Sequence, residues 1–209
     1  MSRRPEEPKG NPWLPRAAVA VESEPEVEAP TYVSLGPQTP QRGLVQPGTG
    51  GLGTWTPPSS ARPPWWWVSC HGGAGESTLA LAIPQGAESG GRGWPVSSAS
   101  GRSGVVLVAR THAGGLHAAQ NAGRQWASGA LEGVDLLGLV AIADAPGPLP
   151  KSLQQWLKLV AGGVPRLWRI SWNEAWRLGE WPDARNSAKD VRKLASELAG
   201  LTNNRYSGE

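Results

Sequence analysis

The 209 residues contain no phenylalanine, one cysteine, one methionine and three histidines. A lone cysteine, Cys70, closes no internal disulfide. That excludes a disulfide framework, fits a reducing compartment, and makes the expected location cytoplasmic. No run of Lys or Arg exceeds two residues and the formal net charge is only +3. A dedicated nucleic-acid surface is therefore not indicated, and the scattered arginines read as a solvated surface. No apolar run approaches the roughly 18 residues of a membrane span, and the apolar stretch from Ala17 to Val21 is too short for a signal peptide. His112 and His117 have no cysteine or carboxylate at ligand spacing, so no metal is expected.

What is present divides unevenly along the chain. Residues 1–64 hold 13 of the 20 prolines, with six basic and six acidic side chains that cancel. Prolines remove backbone donors, and few large apolar groups here offset the entropy of ordering, so this segment is expected to be a disordered arm. Within it Glu22, Glu24, Glu26 and Glu28 form a small acidic patch that reads as solvated linker. Structure is expected to begin at Trp65, to continue as one α/β domain over residues 65–201, and to end in a flexible tail over 202–209.

Inside that domain strand and helix patterns alternate. Trp65 to Ser69 is aromatic and β-branched, and Gly104 to Arg110 and Val134 to Ala143 are continuous apolar runs, the pattern of strands buried on both faces. Pro165 to Trp172 reads as a fourth strand. Helices are predicted over Ser77 to Ile83, after a Thr111 cap, over Pro150 to Ala161, and over Ala184 to Leu201. Residues 85–103, rich in Gly and Ser, read as a loop. Strands alternating with helices imply a small, mostly parallel sheet of about four to five strands joined by right-handed crossovers. Trp168, Trp172 and Trp176 recur every fourth residue, with Trp181 following. Core packing is the first reading of that spacing and a protein interface the second.

One stretch carries chemistry. His71-Gly72-Gly73-Ala74-Gly75-Glu76-Ser77-Thr78 follows the first strand and opens the first helix. Closely spaced glycines let backbone N–H groups surround an anion, and a Ser/Thr hydroxyl after them suits magnesium. A lysine belongs at position 76 in such a loop, and a glutamate stands there. Facing a triphosphate, that carboxylate is repulsive by several kcal/mol at about 4 Å and reduced dielectric. Glu76 is therefore expected to point away, to pair with a cation such as Arg110, or to serve a site that takes no triphosphate. His71 and Arg110 together form an alternative anion site at the strand ends. Cys70 and His71 do not pair as nucleophile and base, because neighbouring strand residues face opposite ways.

The loop resembles the deviant Walker A loop of ParA/MinD-like P-loop ATPases, Lys-Gly-Gly-x-Gly-Lys-[Ser/Thr]-Thr, with both lysines replaced, by His71 and Glu76. The resemblance extends over about residues 65–200: Val105 to Thr111 is similar to a late strand of that family, Val134 to Asp144 to its base-contacting strand, and Arg169 to Trp172 to its Ile-Pro-Tyr segment. Asp144 fits a Walker B position formally and equally fits a turn. The switch aspartates are absent, since Glu88 is the sole acid between the loop and the late strands. The chain also resembles an actinobacterial family from plasmids and mobile elements in which glutamate regularly replaces this lysine. The resemblance implies a non-hydrolysing accessory or regulatory protein, acting through an unidentified protein partner and needing no cofactor. The alternative is an ATPase or GTPase that binds ATP and magnesium through an unusual loop.

Overall fold

The computed structural model describes residues 36–41, 43–96, 101–182 and 188–206. Five strands form an all-parallel sheet: β2 (Trp66–Ser69), β3 (Ala87–Glu88), β5 (Ser103–Arg110), β6 (Val134–Ile142) and β7 (Leu167–Ile170). Their spatial order is β3-β2-β5-β6-β7. The chain thus adds β3 on one side of β2, then crosses back and adds β5, β6 and β7 in turn on the other. The helices are α1 (Glu76–Ala82), α2 (Ala113–Ala127), α3 (Lys151–Ala161), the short α4 (Glu174–Arg177) and α5 (Lys189–Tyr206).

Period-two alternation assigns the two faces. Trp66 and Val68 of β2, with Val105, Leu107 and Ala109 of β5, pack under α2 and α3. Trp65 and Trp67, with Val106 and Val108, pack under α1 and α5. Both faces are covered, which is why β5 and β6 read as unbroken apolar runs. The Trp65 and Trp67 rings meet edge to face at 5.6 Å, and both are fully buried. An indole removes about 150–250 Å2 from water, an upper value of about 4–6 kcal/mol per ring at about 25 cal/mol per Å2. α5 is pinned to β7 by polar bonds as well. Trp168 Nε1 donates to Glu197 (2.6 Å) and the Ser171 N–H to Asp190 (2.6 Å).

Several boundaries differ from the sequence-based expectations. Ordered packing starts well before Trp65. The Gly36 N–H donates to the Pro165 carbonyl, the Gln41 N–H to Ala127, and β1 (Thr54–Trp55) pairs in parallel with β4 (Trp94–Pro95). Prolines suppress regular structure in this segment, but the Gly36, Gln41 and Leu52 N–H groups find acceptors on the domain. Residues 1–35, including the acidic patch, lie outside the described residues. The expected 85–103 loop contains both β3 and β4, because backbone bonds from Ala87 to Trp65 and from Trp94 to Gly53 recruit it to strand edges. The last helix continues through residues placed in the tail, to Tyr206, and residues 207–209 lie outside the described residues. Trp172 falls beyond β7, whose ladder ends where the Ala143 N–H donates to Ile170. Among the described residues no helix is long and apolar enough to cross a membrane.

Candidate functional site

Because the chain reverses direction at β2, the loops leaving β2 and β5 diverge, and a crevice opens at their carboxyl ends. The glycine loop lies there, between β2 and α1. Gly73 and Gly75 adopt φ of +74° and +101°, left-handed values that glycine reaches without steric cost, and this turns the chain sharply into the helix. Gly72 and Gly73 are exposed and Ala74 is buried against the α1 face.

Glu76, the first residue of α1, is buried and points away from the crevice. Its position follows from where the β2–β3 ladder stops. The Ser89 N–H still donates to the Trp67 carbonyl at 2.9 Å, and beyond that rung the Glu76 carboxylate bridges the two strands. One oxygen accepts from the Ser69 N–H (3.2 Å), and the other from the Ser89 hydroxyl (3.0 Å) and the Gly90 N–H (2.9 Å). Arg92 supports this network indirectly. Its Nε donates to the Ser89 carbonyl at 2.7 Å while its guanidinium lies 3.8 Å over the Trp55 ring. Of the alternatives for Glu76, pairing with Arg110 is not the one adopted, since two backbone N–H groups and the Ser89 hydroxyl already satisfy the carboxylate and Arg110 is engaged elsewhere. Ser77, at the magnesium position of the resemblance, donates to Glu88 Oε2 at 2.9 Å.

His71 closes the other side of the loop. Its Nε2 accepts from the Arg110 N–H at 3.1 Å, so the neutral ring carries its proton on Nδ1, which faces the Gly72 carbonyl at 2.9 Å. The expected His71–Arg110 anion site is therefore not formed in that way: the imidazole is spent on the Arg110 backbone. Gly115 makes room for this, because a Cβ there would collide with both the Arg110 carbonyl and His71 Nε2. His112 rather than Thr111 caps α2, its Nδ1 accepting from the Gly115 N–H at 3.0 Å. Thr111 instead ties β5 to β6, its N–H donating to Ile142 and its hydroxyl accepting from the Asp144 N–H. Cys70 is buried at the same strand end, and burial pushes its thiol up to about 12, which leaves it protonated and unreactive at neutral pH.

The Arg110 guanidinium turns toward a cavity of about 110 Å3 lined by Gly75, Thr78, Ile142, Ser171 to Asn173, Trp176 and Arg177. Nη1 donates to the Ala143 carbonyl at 2.9 Å. Burial holds the guanidinium below its ordinary pKa, nearby Asp144 opposes that shift, and Arg177 adds to it. Asp144 is exposed in the bend after β6, a turn residue that serves Arg110 electrostatically. Of the residues that stand out in the sequence, Gly75, Thr78, Arg110, Trp172 and Trp176 meet at this cavity, while Glu76 and Ser77 face β3 instead. Arg177, Ser89 and Gly90 were not singled out. Asn173 before Glu174 is a cap signal that announces α4 and hence places Arg177, the Asn173 side chain accepting from the Trp176 N–H at 3.3 Å. No local pattern marks Ser89 and Gly90 as partners of a carboxylate 13 and 14 positions earlier. Among the described residues no group of three or more His, Cys, Asp or Glu side chains converges as a metal site.

Residues 64–194, well over half of the chain, match the model of a family of unknown function, DUF6668. The chain belongs to that family. The match to DUF6668 begins just before β2 and runs into α5, so it spans the whole sheet and the crevice. No curated protein and no solved structure matches.

Proposed function

We propose that this DUF6668 domain is a catalytically degenerate, ParA/MinD-like scaffold that acts as an accessory or regulatory interaction protein, in plasmid or mobile-element maintenance or transfer, without hydrolysing nucleotide. The observation that carries the reading is the Glu76 carboxylate, bound by Ser69, Ser89 and Gly90. The side chain that would face the phosphates in a working loop is spent on joining β2 to β3, and the His71 ring occupies the position between the loop and β5. The loop thus works as an internal brace. Leu178 and Trp181, 73% and 74% exposed beyond α4, offer apolar surface for a protein partner.

An ATP titration with and without magnesium tests this, run on the wild type beside Glu76→Lys. Neither protein is expected to bind, since a lysine at 76 leaves three donors without their acceptor and does not rebuild a cradle. Magnesium-dependent micromolar binding by the wild type would overturn the reading in favour of a nucleotide-binding ATPase or GTPase.

A further inference from the structure

Two guanidinium groups from distant parts of the chain meet at the crevice cavity, and among the described residues no carboxylate forms an ion pair with either. Arg110 ends β5 and is half-buried, and Arg177 ends α4. The side-chain ion pairs among the described residues are Arg102 with Asp135 and Lys193 with Glu197, so neither crevice arginine belongs to one. Arg110 commits one nitrogen to the Ala143 carbonyl, which leaves most of its five N–H donors free for a ligand. Two like charges around one partly dry cavity repel each other, and a bound anion relieves that repulsion while accepting the free donors.

We propose that the cavity between Arg110 and Arg177 is a binding site for a phosphate group, free or as a small monoester. The cavity volume sets the size class. About 110 Å3 lies well below the roughly 300–1,000 Å3 of pockets that enclose drug-sized ligands, so it takes an oxyanion and not a nucleotide. The lining sets the chemistry. Two arginine forks match the oxygens of a dianion, and Thr78, Ser171 and Asn173 make the rest of the lining partly polar and neutral. Trp172 and Trp176 form an apolar wall, with Trp172 fixed by its Nε1 donating to Glu174 at 2.6 Å. That wall suits the carbon side of a monoester. Asp144 is the opposing charge beside Arg110, and it weakens binding without abolishing it. Of the stretch from His71 to Thr78, Gly75 and Thr78 reach the lining, but the two arginines carry the site, which does not depend on the scaffold reading above.

Calorimetric titration of the full chain with inorganic phosphate and with phenyl phosphate, at fixed ionic strength, tests the site. Saturable one-to-one binding is expected for both, and the tighter of the two tells whether a free ion or a monoester is preferred. Arg177→Gln is expected to weaken binding at least about tenfold, and Asp144→Asn to strengthen it several-fold. Both positions are exposed, so both variants are expected to fold, which a thermal melt verifies. Absence of saturation in the wild type overturns the proposal, as does an Arg177→Gln affinity equal to the wild type. ATP binding bears on the scaffold reading and not on this one, so the two fail separately.

Discussion

At position 76 a carboxylate takes up two backbone donors that otherwise end the β2–β3 ladder unsatisfied, together with the Ser89 hydroxyl. Hydrogen bonds to a charged acceptor are worth about 1.5–3 kcal/mol each, and the buried donors left behind carry a desolvation cost. Glu76→Ala is therefore expected to destabilise the domain by about 3–5 kcal/mol, and Glu76→Gln, which keeps one acceptor oxygen, by about 1–2 kcal/mol. Urea unfolding monitored by tryptophan emission measures both, and an unchanged midpoint in Glu76→Ala would refute the brace. Cys70 gives a second test at this scale. Its pKa is raised from 9.0 to about 12 in the folded state, so the folded state holds the proton more tightly than the unfolded one. The stability this gives is fully present below pH 9 and is lost as pH rises from 9 toward 12. Cys70→Ala is expected to remove that alkaline slope while costing some packing at neutral pH, which denaturation series at pH 7, 9 and 10.5 separate. The glycines and the misplaced glutamate were legible from sequence, because backbone geometry and charge are local properties. The partners of Glu76 were not, because the turn after β3 reaches it only through the fold.

At the scale of elements, the segment before β2 is held by side chains that imitate backbone. The Leu52 N–H donates to Gln125 Oε1 at 2.8 Å and Gln125 Nε2 returns a bond to the Leu52 carbonyl at 2.9 Å, while Trp94 Nε1 shares the same oxygen. One glutamine on α2 thus joins the early segment, β4 and the helix. Gln125→Ala is expected to cost about 1–3 kcal/mol and to speed proteolytic cutting between residues 43 and 53. Limited proteolysis with mass mapping reads this directly, and unaltered cutting would show that the other ties suffice. Strands β5 and β6 were plain in the sequence because parallel strands buried on both faces repeat apolar residues without a break. β1, β3 and β4 are two residues each and carry no such run, so the bonds that make them strands appear only with their neighbours in place. Arg110 was legible as the end of a strand, whereas Arg177 sits on a single turn of helix behind a cap.

For the whole molecule, cohesion comes from the two apolar layers and not from charge. The two ion pairs among the described residues are partly exposed, and such pairs contribute about 0–1 kcal/mol. Raising sodium chloride from 50 to 300 mM is expected to shift the melting temperature by no more than about 2 °C. A large fall would mean that long-range charge holds the fold. The α/β class followed from alternating patterns, but the doubly covered sheet with β2 inside it depends on which side each crossover lands, and that no single segment encodes.

The bond from Gln38 to Pro165 spans 127 positions, and the one from Leu52 to Gln125 spans 73. During synthesis, at about 5–20 residues per second, Leu52 waits about 4–15 s for its glutamine and Gln38 about 6–25 s for its carbonyl. The stretch is thus fastened only after most of the sheet has followed it. Through that interval Leu44 lacks the surface of α2 and α3 that it lines in the folded domain, which leaves this segment open to chaperones and proteases.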